Sequence, residues 1–493
     1  MKTPSLIGRR FPRAALILIT VSIVTACAVN PVTGKRQLML ISTGQEVALG
    51  AESDMGIVAS YGLYDDEDLA SRLTAMGEQM ARISHRPDLD WSFKVLDSPV
   101  INAFAVPGGY VYVTRGILPY LGSEAELAGI LGHEIGHITA RHSAQRLSQA
   151  QLAQLGLGIG AAVSERFRKY SAVAEAGVGL LMLSFSRENE READRLGVEY
   201  ATTQGWAAGE MADFFATLER MHPSSGSGLP DWFSTHPAPE KRVETVRQLA
   251  EEWRGKVEHT SLAVNREQYL RMIDGIIYGA DPRHGFVLNG WFNHPGLTFR
   301  FPLPDEWSVM NETSQVQISD PEEEAVILLS IGTEPSPTAE ADSFFYGLGV
   351  IPVESERVTV NGFPARRTRT VIETDQGVLV ILSTFILKGS TIFTLHGICD
   401  QTDFDAFRSD FERTMNGFSL LTDGALLSVQ PDRIRIVRGE REETLRIFLL
   451  SRGVPEDRLE ELSFLNGKRL EDRIAGGEPI KIVEPGGGIP RTE

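Results

Sequence analysis

The stretch LGHEIGH, Leu131–His137, constrains the fold of this chain more than any other short segment. Ser123 followed by Glu126 is a capping-box pattern, which predicts that a helix begins there. Apolar residues then recur at helical spacing, so one face of the helix is expected to be buried. His133 and His137 are four residues apart and therefore project from the same side, one turn apart. Two imidazoles in this arrangement are typical of a zinc site.

Glu134 follows the first histidine, and its carboxylate can reach a metal-bound water without binding the metal itself. The same pattern can occur by chance on an ordinary helix. A catalytic zinc ion takes three protein ligands and keeps one position open. The metzincin arrangement HExxHxxGxxH is excluded because Ala140 and Ser143 stand at its last two positions. We expect His142 to point away from the ligand face, at the surface or behind a ligand.

A carboxylate on a later helix is the other option for the third ligand. The segment SFSRENEREADRLGVEYA, Ser184–Ala201, predicts a helix with Glu190 and Asp194 on one face. Glu190 could complete the metal shell, and an acid one turn further on could hold a ligand histidine in one tautomer. Taken alone, the segment is more typical of a solvated charged helix.

The N-terminal residues are typical of a targeting segment. MKTPSLIGRRFPR is basic, and the apolar run after it, AALILITVSIV, is shorter than the ~20 residues that span a bilayer. The run ends at VTAC, which resembles a lipobox. Residues 1–26 are therefore expected to be a lipoprotein signal peptide and Cys27 the lipidated first residue of the mature chain. An ordinary secretory signal with a chance cysteine is the alternative. Cys399 then has no disulfide partner and is expected to be a buried thiol.

Net charge and the helix-like or strand-like sequence patterns characterise the rest of the chain. A formal net charge of −18 argues against nucleic acid as a partner. The chain is mostly helical in pattern up to about Glu258, with a strand-like interlude around INAFAVPGGYVYVTRGIL. Strand-like runs follow Gly279 and end in an amphipathic helix, DFDAFRSDFERTMNGF. The pattern of Ser428–Glu484 is strand, helix, helix, strand, and residues 485–493 are expected to be disordered.

LGHEIGH followed by SRENEREADRLG closely resembles the M48 zinc metallopeptidases, whose pattern is HExxH plus a downstream ExxxD. The resemblance covers most of Cys27–Arg247 and includes VNPVTGKRQL, INAFAVPGGYVYVTRGIL and FSTHPAPEKR. The lipoprotein start and the lack of apolar spans after it favour the periplasmic BepA/LoiP-like branch over the related membrane-embedded HtpX and CAAX prenyl proteases. Ala28 after the cysteine favours the outer membrane of a Gram-negative bacterium.

The resemblance implies a role for each matching residue. His133, His137 and Glu190 would bind one zinc ion per chain. Asp194 would not bind the metal but would hydrogen-bond a ligand histidine. Glu134 would be the general base for the zinc-bound water and would later protonate the leaving amine.

The resemblance also implies a substrate cleft. Its edge strand, which would pair with substrate backbone, is made of Asn102, Ala103, Phe104 and Ala105. The turn Pro107-Gly108-Gly109 would follow it. His236 is similar to a histidine near the zinc in BepA-like proteins, and would plug the fourth position or donate to the oxyanion. A loop histidine with no catalytic part is the alternative. Arg242 would help to position its loop.

The implied fold is multidomain. A mainly α zincin-type (gluzincin) metallopeptidase domain with a small β-sheet would cover 27–258. Residues 285–422 are similar to the PsbP-like α+β sandwich, through GLTFRFPLPDEWSV and the phenylalanine-rich helix. Residues 428–484 resemble a small LysM-like α/β module, through a Gly-x-x-x-x-Thr-Leu opening and a Leu-Asn-Gly turn. The helical repeats that follow the protease in BepA are not matched here, so partner recognition is not carried over.

The resemblance predicts a zinc-dependent endopeptidase of the bacterial cell envelope, periplasmic and anchored to the outer membrane through Cys27. Its substrates would be misfolded or misassembled envelope proteins, and peptidoglycan is a candidate partner of the C-terminal module. Two alternatives remain open. One is a mainly non-proteolytic chaperone or scaffold in which His236 keeps the zinc closed. The other is a cell-wall-associated binding protein.

Overall fold

The computed structural model describes residues 27–154, 184–221, 231–237, 241–312, 314–374 and 377–487. The predicted signal peptide, residues 1–26, lies outside the described residues, as does 488–493 of the predicted disordered tail. Residues 485–487 are in neither a helix nor a strand. No helix in the described ranges combines the length and the apolar character needed to cross a membrane.

The first part of the chain is mostly helical, as the sequence predicts. Its helices and strands are β1 (Cys27–Val29), β2 (Arg36–Leu38), α1 (Thr43–Tyr61), α2 (Glu67–Ile83), β3 (Ser92–Leu96), β4 (Ala103–Val106), β5 (Tyr110–Thr114), α3 (Glu124–Thr139), α4 (His142–Gln154), α5 (Arg187–Thr203), α6 (Met211–Met221), α7 (Asp231–Thr235), α8 (Arg242–Arg254) and α9 (Arg266–Ile273). The LGHEIGH helix α3 lies in the middle of this part, where every residue from Ala125 to Thr139 is buried.

The predicted strand-like interlude forms a three-stranded sheet in the order β3-β5-β4. Strand β3 is parallel to β5, and β4 pairs antiparallel with the other side of β5. The predicted edge strand therefore exists, but it begins at Ala103. The backbone N–H of Asn102 donates to the Thr114 hydroxyl at 3.1 Å, while its carbonyl oxygen accepts from the Thr114 backbone N–H at 3.0 Å. All four residues of β4 are buried.

The middle part contains a seven-stranded antiparallel sheet packed between two helices, and a smaller four-stranded antiparallel sheet. Its helices and strands are β6 (Phe286–Leu288), β7 (Trp291–His294), β8 (Phe299–Pro302), β9 (Ser308–Asn311), β10 (Gln315–Ser319), β11 (Ala325–Gly332), α10 (Pro337–Leu348), β12 (Glu354–Val360), β13 (Phe363–Thr374), β14 (Gly377–Lys388), β15 (Thr391–Asp400), α11 (Phe404–Asn416), β16 (Ser419–Leu420) and α12 (Gly424–Leu427). The large sheet has the order β12-β13-β14-β15-β11-β10-β9.

Alternation along β15 places the two helices on opposite faces of that sheet. His396 stacks on Phe344 of α10, with ring centroids 4.4 Å apart. The next residue, Gly397, leaves room for Phe411 of α11, since a Cβ there would lie 2.5 Å from that ring. The predicted amphipathic helix is thus confirmed, with Phe411 and Met415 fully buried. Cys399 is a buried free thiol, as predicted, and burial raises its pKa to about 12.

The last part follows the predicted order of strand, two helices and strand, with one short strand pair added. It contains β17 (Arg433–Arg438), β18 (Glu443–Thr444), α13 (Leu445–Ser451), α14 (Leu459–Leu465), β19 (Arg473–Ile474) and β20 (Pro479–Glu484). Leu445, Phe448 and Leu462 belong to the same hydrophobic core as Leu127 and Ile130 of α3. The first and last parts of the chain therefore pack as one body, although more than 300 residues separate α3 from β20 along the chain.

Candidate metal centre

Helix α3 supplies two histidines from its last two turns. Ser123 begins the helix, because its hydroxyl oxygen accepts a hydrogen bond from the Glu126 backbone N–H at 3.1 Å. The Glu126 carboxylate accepts from the same hydroxyl at 3.3 Å, so the predicted cap is present but is not fully reciprocal. His133 Nε2 and His137 Nε2 lie 3.0 Å apart. The i, i+4 spacing therefore directs both imidazoles to one point.

Helix α5 runs against α3 in backbone contact. Ser186 begins it through a reciprocal capping box with Asn189. Glycines make the close approach, since a Cβ at Gly132 would lie 2.8 Å from the Gly197 carbonyl oxygen, and a Cβ at Gly197 would lie 2.8 Å from the His133 nitrogen. Real Cβ atoms do not approach other heavy atoms this closely without a shift.

This contact brings the predicted third ligand to the histidines. Glu190 is completely buried, unlike the exposed charged side chain that its local sequence favours. Its Oε1 lies 3.4 Å from His137 Nε2, and its Oε2 lies 3.5 Å from His133 Nε2. Neither helix alone fixes these distances, because they depend on how closely α3 and α5 pack.

His236 reaches the same point from a third element. It follows the short helix α7, and its backbone N–H donates to the Trp232 carbonyl oxygen at 2.8 Å. The Trp232 ring stacks on the imidazole at 4.4 Å. His236 Nδ1 lies 3.2 Å from Glu190 Oε1 and 3.4 Å from His133 Nε2. On its other side, Nε2 lies 3.3 Å from the carbonyl oxygen of Ala103 in β4.

These residues fit a zinc ion. One possible ligand atom from each of His133, His137, Glu190 and His236 lies within 4.8 Å of the others. Imidazole nitrogen and carboxylate oxygen are ordinary zinc ligands in a shell of four. Both carboxylate oxygens of Glu134 are buried without a hydrogen-bond partner among the described residues. Such oxygens are costly unless a water or an ion satisfies them.

Asp194 and Arg242 form a charged layer behind His133. Asp194 Oδ1 lies 2.9 Å from His133 Nδ1, on the ring edge opposite the cluster. Arg242 donates to both Asp194 oxygens, at 2.7 and 3.0 Å, and its guanidinium lies 3.3 Å from Glu190 Oε2. The sequence predicted that Arg242 positions the His236 loop, but the guanidinium contacts these two carboxylates and stacks on the Phe215 ring, 3.7 Å from its centroid.

Burial and neighbouring charges shift the pKa values of the cluster residues in opposite directions. Burial raises the pKa of Glu134 and lowers the pKa of His137 well below its ordinary value. Burial also opposes the charge on Glu190, but His236 and hydrogen bonds from His133 and His137 outweigh it, so its pKa is held well below the usual range.

The pKa of His133 shifts in the opposite direction to that of His137. Burial favours its neutral form, but the hydrogen bonds to Asp194 and Glu190 prevail and raise its pKa to about 9. The same concentration of negative charge stabilises a divalent cation, which would displace the extra proton.

Sequence reasoning left the position of one residue open and missed two others. Of the two positions predicted for His142, at the surface or behind a ligand, the structure shows the second: the side chain is buried, and its Nδ1 lies 3.0 Å from His137 Nδ1. Phe185 stacks on the His137 ring at 4.0 Å, and Trp232 covers His236. An aromatic residue just before the cap of the Glu190 helix and another four residues before His236 were the available signals.

Comparison with known proteins agrees with this geometry. Residues 67–250 match the family model described as Peptidase family M48. The matched range contains all the residues of the metal centre, together with Glu134, Asp194 and Arg242. This segment is a peptidase family M48 domain, as the resemblance predicted.

Particular relatives match a little under half of the chain. Mitochondrial metalloendopeptidase OMA1 of Arabidopsis thaliana is 28% identical over 215 residues, which are 44% of this chain and 42% of the relative. Beta-barrel assembly-enhancing protease of Escherichia coli (strain K12) is 29% identical over 229 residues, which are 45% of this chain and 47% of the relative. The chain spans about half the length of the curated relatives it matches.

The chain also has a weaker likeness to a solved structure. Cyanobacterial PsbP from Synechocystis sp. PCC 6803 aligns with 26% of this chain and 91% of its own, at a TM-score of 0.24 and 12% identity. A likeness of this size carries no argument, so the PsbP-like resemblance stays a prediction.

Proposed function

We propose that this protein is a zinc-dependent endopeptidase of the bacterial cell envelope that hydrolyses peptide bonds in misfolded or misassembled proteins. One observation carries the proposal. His133, His137 and Glu190 converge in a buried cluster beside Glu134, within a segment that matches an M48 peptidase. The names of the relatives, a metalloendopeptidase and a β-barrel assembly-enhancing protease, support the reaction and the class of substrate.

His133, His137 and Glu190 would hold the zinc ion. Zinc supplies Lewis acidity, which polarises a scissile carbonyl and lowers the pKa of a bound water to about 7. Glu134 takes the proton of the attacking water and passes it to the leaving amine. Its buried position suits this role, because burial raises the pKa of its carboxyl, and both of its oxygens lack a hydrogen-bond partner among the described residues.

The same cluster supports a latent resting state. A substrate strand that pairs with β4 needs the carbonyl oxygen of Ala103 as an acceptor. His236 Nε2 lies 3.3 Å from that oxygen, while Nδ1 of the same ring lies among the metal ligands. His236 therefore competes with substrate for the cleft and with water for the fourth position. It must move before a peptide can bind.

Cleavage of an unfolded protein tests the proposal. The full chain, purified in detergent with its zinc quantified, is incubated with casein beside Glu134→Gln and His236→Ala. We expect Glu134→Gln to lose cleavage at least a hundredfold while it keeps one zinc per chain. An inactive wild type with an active His236→Ala would establish the latent form. If none of the three cleaves casein with zinc bound, the peptidase proposal fails and the chaperone or scaffold alternative takes its place.

We also propose that Cys27 anchors the mature chain to the outer membrane, on the strength of the VTAC sequence. Cys27→Ala should then move the protein from the outer-membrane fraction to the soluble periplasmic fraction. Contact of residues 428–484 with peptidoglycan rests only on the LysM-like resemblance, and cosedimentation of the full chain with purified cell wall tests it.

A further inference from the structure

His142 occupies its position because helix α3, which bears His133 and His137, ends abruptly. Helix α3 ends at Thr139, and Arg141 adopts a left-handed backbone with φ of 60°. The chain then begins α4 at His142, which turns this imidazole back onto His137. The two rings meet edge to face, with centroids 5.0 Å apart and an interplanar angle of 74°.

Glu192 completes the chain of contacts. It lies two residues after Glu190 on α5 and therefore on a different face of that helix. Its Oε2 lies 3.2 Å from His142 Nε2. The Glu192 carboxylate, His142 and His137 thus form a continuous hydrogen-bonded chain from the partly exposed surface of α5 to the metal centre.

When His137 binds a metal, only one placement of the protons on the His137 and His142 rings is possible. Its Nε2 faces the cluster and must have a free lone pair, so the proton of the neutral ring is on Nδ1. The Nδ1 atoms of His137 and His142 are 3.0 Å apart, so Nδ1 of His142 must accept the hydrogen bond that the Nδ1–H of His137 donates. His142 then has its own proton on Nε2, where it donates to the Glu192 carboxylate. The opposite arrangement would put the His137 proton on Nε2, where it blocks ligation.

We propose that His142 and Glu192 are positioning residues for the metal centre: the Glu192 carboxylate selects the His142 tautomer, which in turn holds His137 in its metal-binding tautomer and orientation. This inference deepens the proposed function and rests on it. The two ligand histidines would be supported differently, since His133 has a carboxylate directly on its Nδ1 and His137 has one through a second imidazole. A ligand histidine whose other nitrogen is held by an acceptor is more basic and better oriented, and loss of such support typically weakens metal binding by about 10- to 100-fold.

Zinc affinity, measured by competition with a chromophoric chelator, tests the proposal without any peptidase assay. The full chain in detergent is compared with Glu192→Gln, which keeps the shape but lets His142 take either tautomer, and with His142→Phe, which keeps an aromatic ring. We expect the zinc dissociation constant to rise by about 10-fold in the first and by 10- to 100-fold in the second. Glu188→Gln is the matched control, because it removes the same charge from an exposed position on the same helix, and it should bind zinc as wild type does.

A second measurement separates positioning from loss of structure. The melting temperature in excess chelator should be the same for Glu192→Gln and wild type, and a nitrogen-15 histidine spectrum of the zinc-loaded protein should contain a Nδ1-protonated His137 that weakens in Glu192→Gln. Unchanged zinc affinity in both Glu192→Gln and His142→Phe would overturn the inference. A wild type that binds zinc with these differences but never cleaves protein would overturn only the peptidase proposal.

Discussion

The ammonium group of Lys481 lies 2.7 Å from the carbonyl oxygen of Pro119 and 2.5 Å from that of Leu121. These carbonyls belong to the turn that precedes α3, so the C-terminal part of the chain holds the start of the zinc helix. The lysine is fully buried near Glu126, on the first turn of that helix. Burial lowers the pKa of Lys481 and raises the pKa of Glu126, and the charge of each opposes the shift of the other.

Lys481→Met should destabilise the protein by about 1–3 kcal/mol, because two buried carbonyls lose their donor and Glu126 loses its neighbouring cation. The denaturant midpoint measures this loss. Arg446→Met, which removes an exposed charge from the same part of the chain, should leave the midpoint unchanged. Glu126→Gln should reduce stability less when it is introduced into the Lys481→Met variant than when it is introduced into the wild type. Strict additivity of the two changes would argue against the pairing.

Glu46→Gln should lower the free energy of unfolding by about 3–5 kcal/mol, since it leaves two buried guanidinium groups without a counter-charge. Glu46 lies 2.8 Å from Arg86 and 3.0 Å from Arg141, the residue at which the chain turns between α3 and α4. Thermal unfolding compared with Glu52→Gln, an exposed position on the same helix, measures the effect. Equal melting temperatures for the two variants would contradict it.

Gly197→Ala should weaken zinc binding and destabilise the fold by about 1–3 kcal/mol, because the new methyl group would force α3 and α5 apart. Gly44→Ala is the control. It lies in α1 with no atom within 4 Å of an added Cβ, and alanine there should be neutral or stabilising by up to about 1 kcal/mol. Chelator competition and thermal unfolding test both variants. A Gly197→Ala protein with wild-type zinc affinity would show that the helix contact does not set the ligand distances.

Acid should weaken the middle part of the chain through His396. Burial lowers the pKa of this imidazole from 6.5 to about 4, so the folded state prefers the neutral ring. The stability from this group is complete above pH 6.5 and is lost as the pH falls towards 4, by up to about 3 kcal/mol. His294 has the same shift and adds to the loss.

Hydrogen exchange of β14 and β15, corrected for the intrinsic rate at each pH, measures this effect. His396→Gln keeps a polar partner for the Ser383 hydroxyl but cannot take up a proton, so it should lose less protection than wild type between pH 7 and 4.5. His259→Gln, at an exposed position in the first part of the chain, should follow wild type. Identical pH dependence in wild type and His396→Gln would refute the assignment.

The sequence was most informative where the relevant spacing is local. His133, His137 and the start of their helix follow from i, i+4 geometry and a serine cap, so they could be predicted without a structure. Glu190 could be predicted only through a family resemblance, because its burial depends on the glycine contact between two helices. For His142 the sequence left two positions open, at the surface or behind a ligand, because no pattern signalled the left-handed turn at Arg141 that brings its ring onto His137. The contact of Lys481 with Pro119 joins residues 362 apart and has no sequence signature.

The backbone contact between α3 and α5 also bears on the order in which this protein is assembled. In small zinc modules the ion pulls the chain together, and folding fails without it. Here the distance between the ligand-bearing helices is limited by main-chain atoms at Gly132 and Gly197, and both helices lie in an extensive apolar core. The ligands are thus gathered before any metal arrives. We therefore expect the protein to fold first and to be loaded with zinc afterwards, so that zinc supply would govern the proposed peptidase activity and not the abundance of the protein.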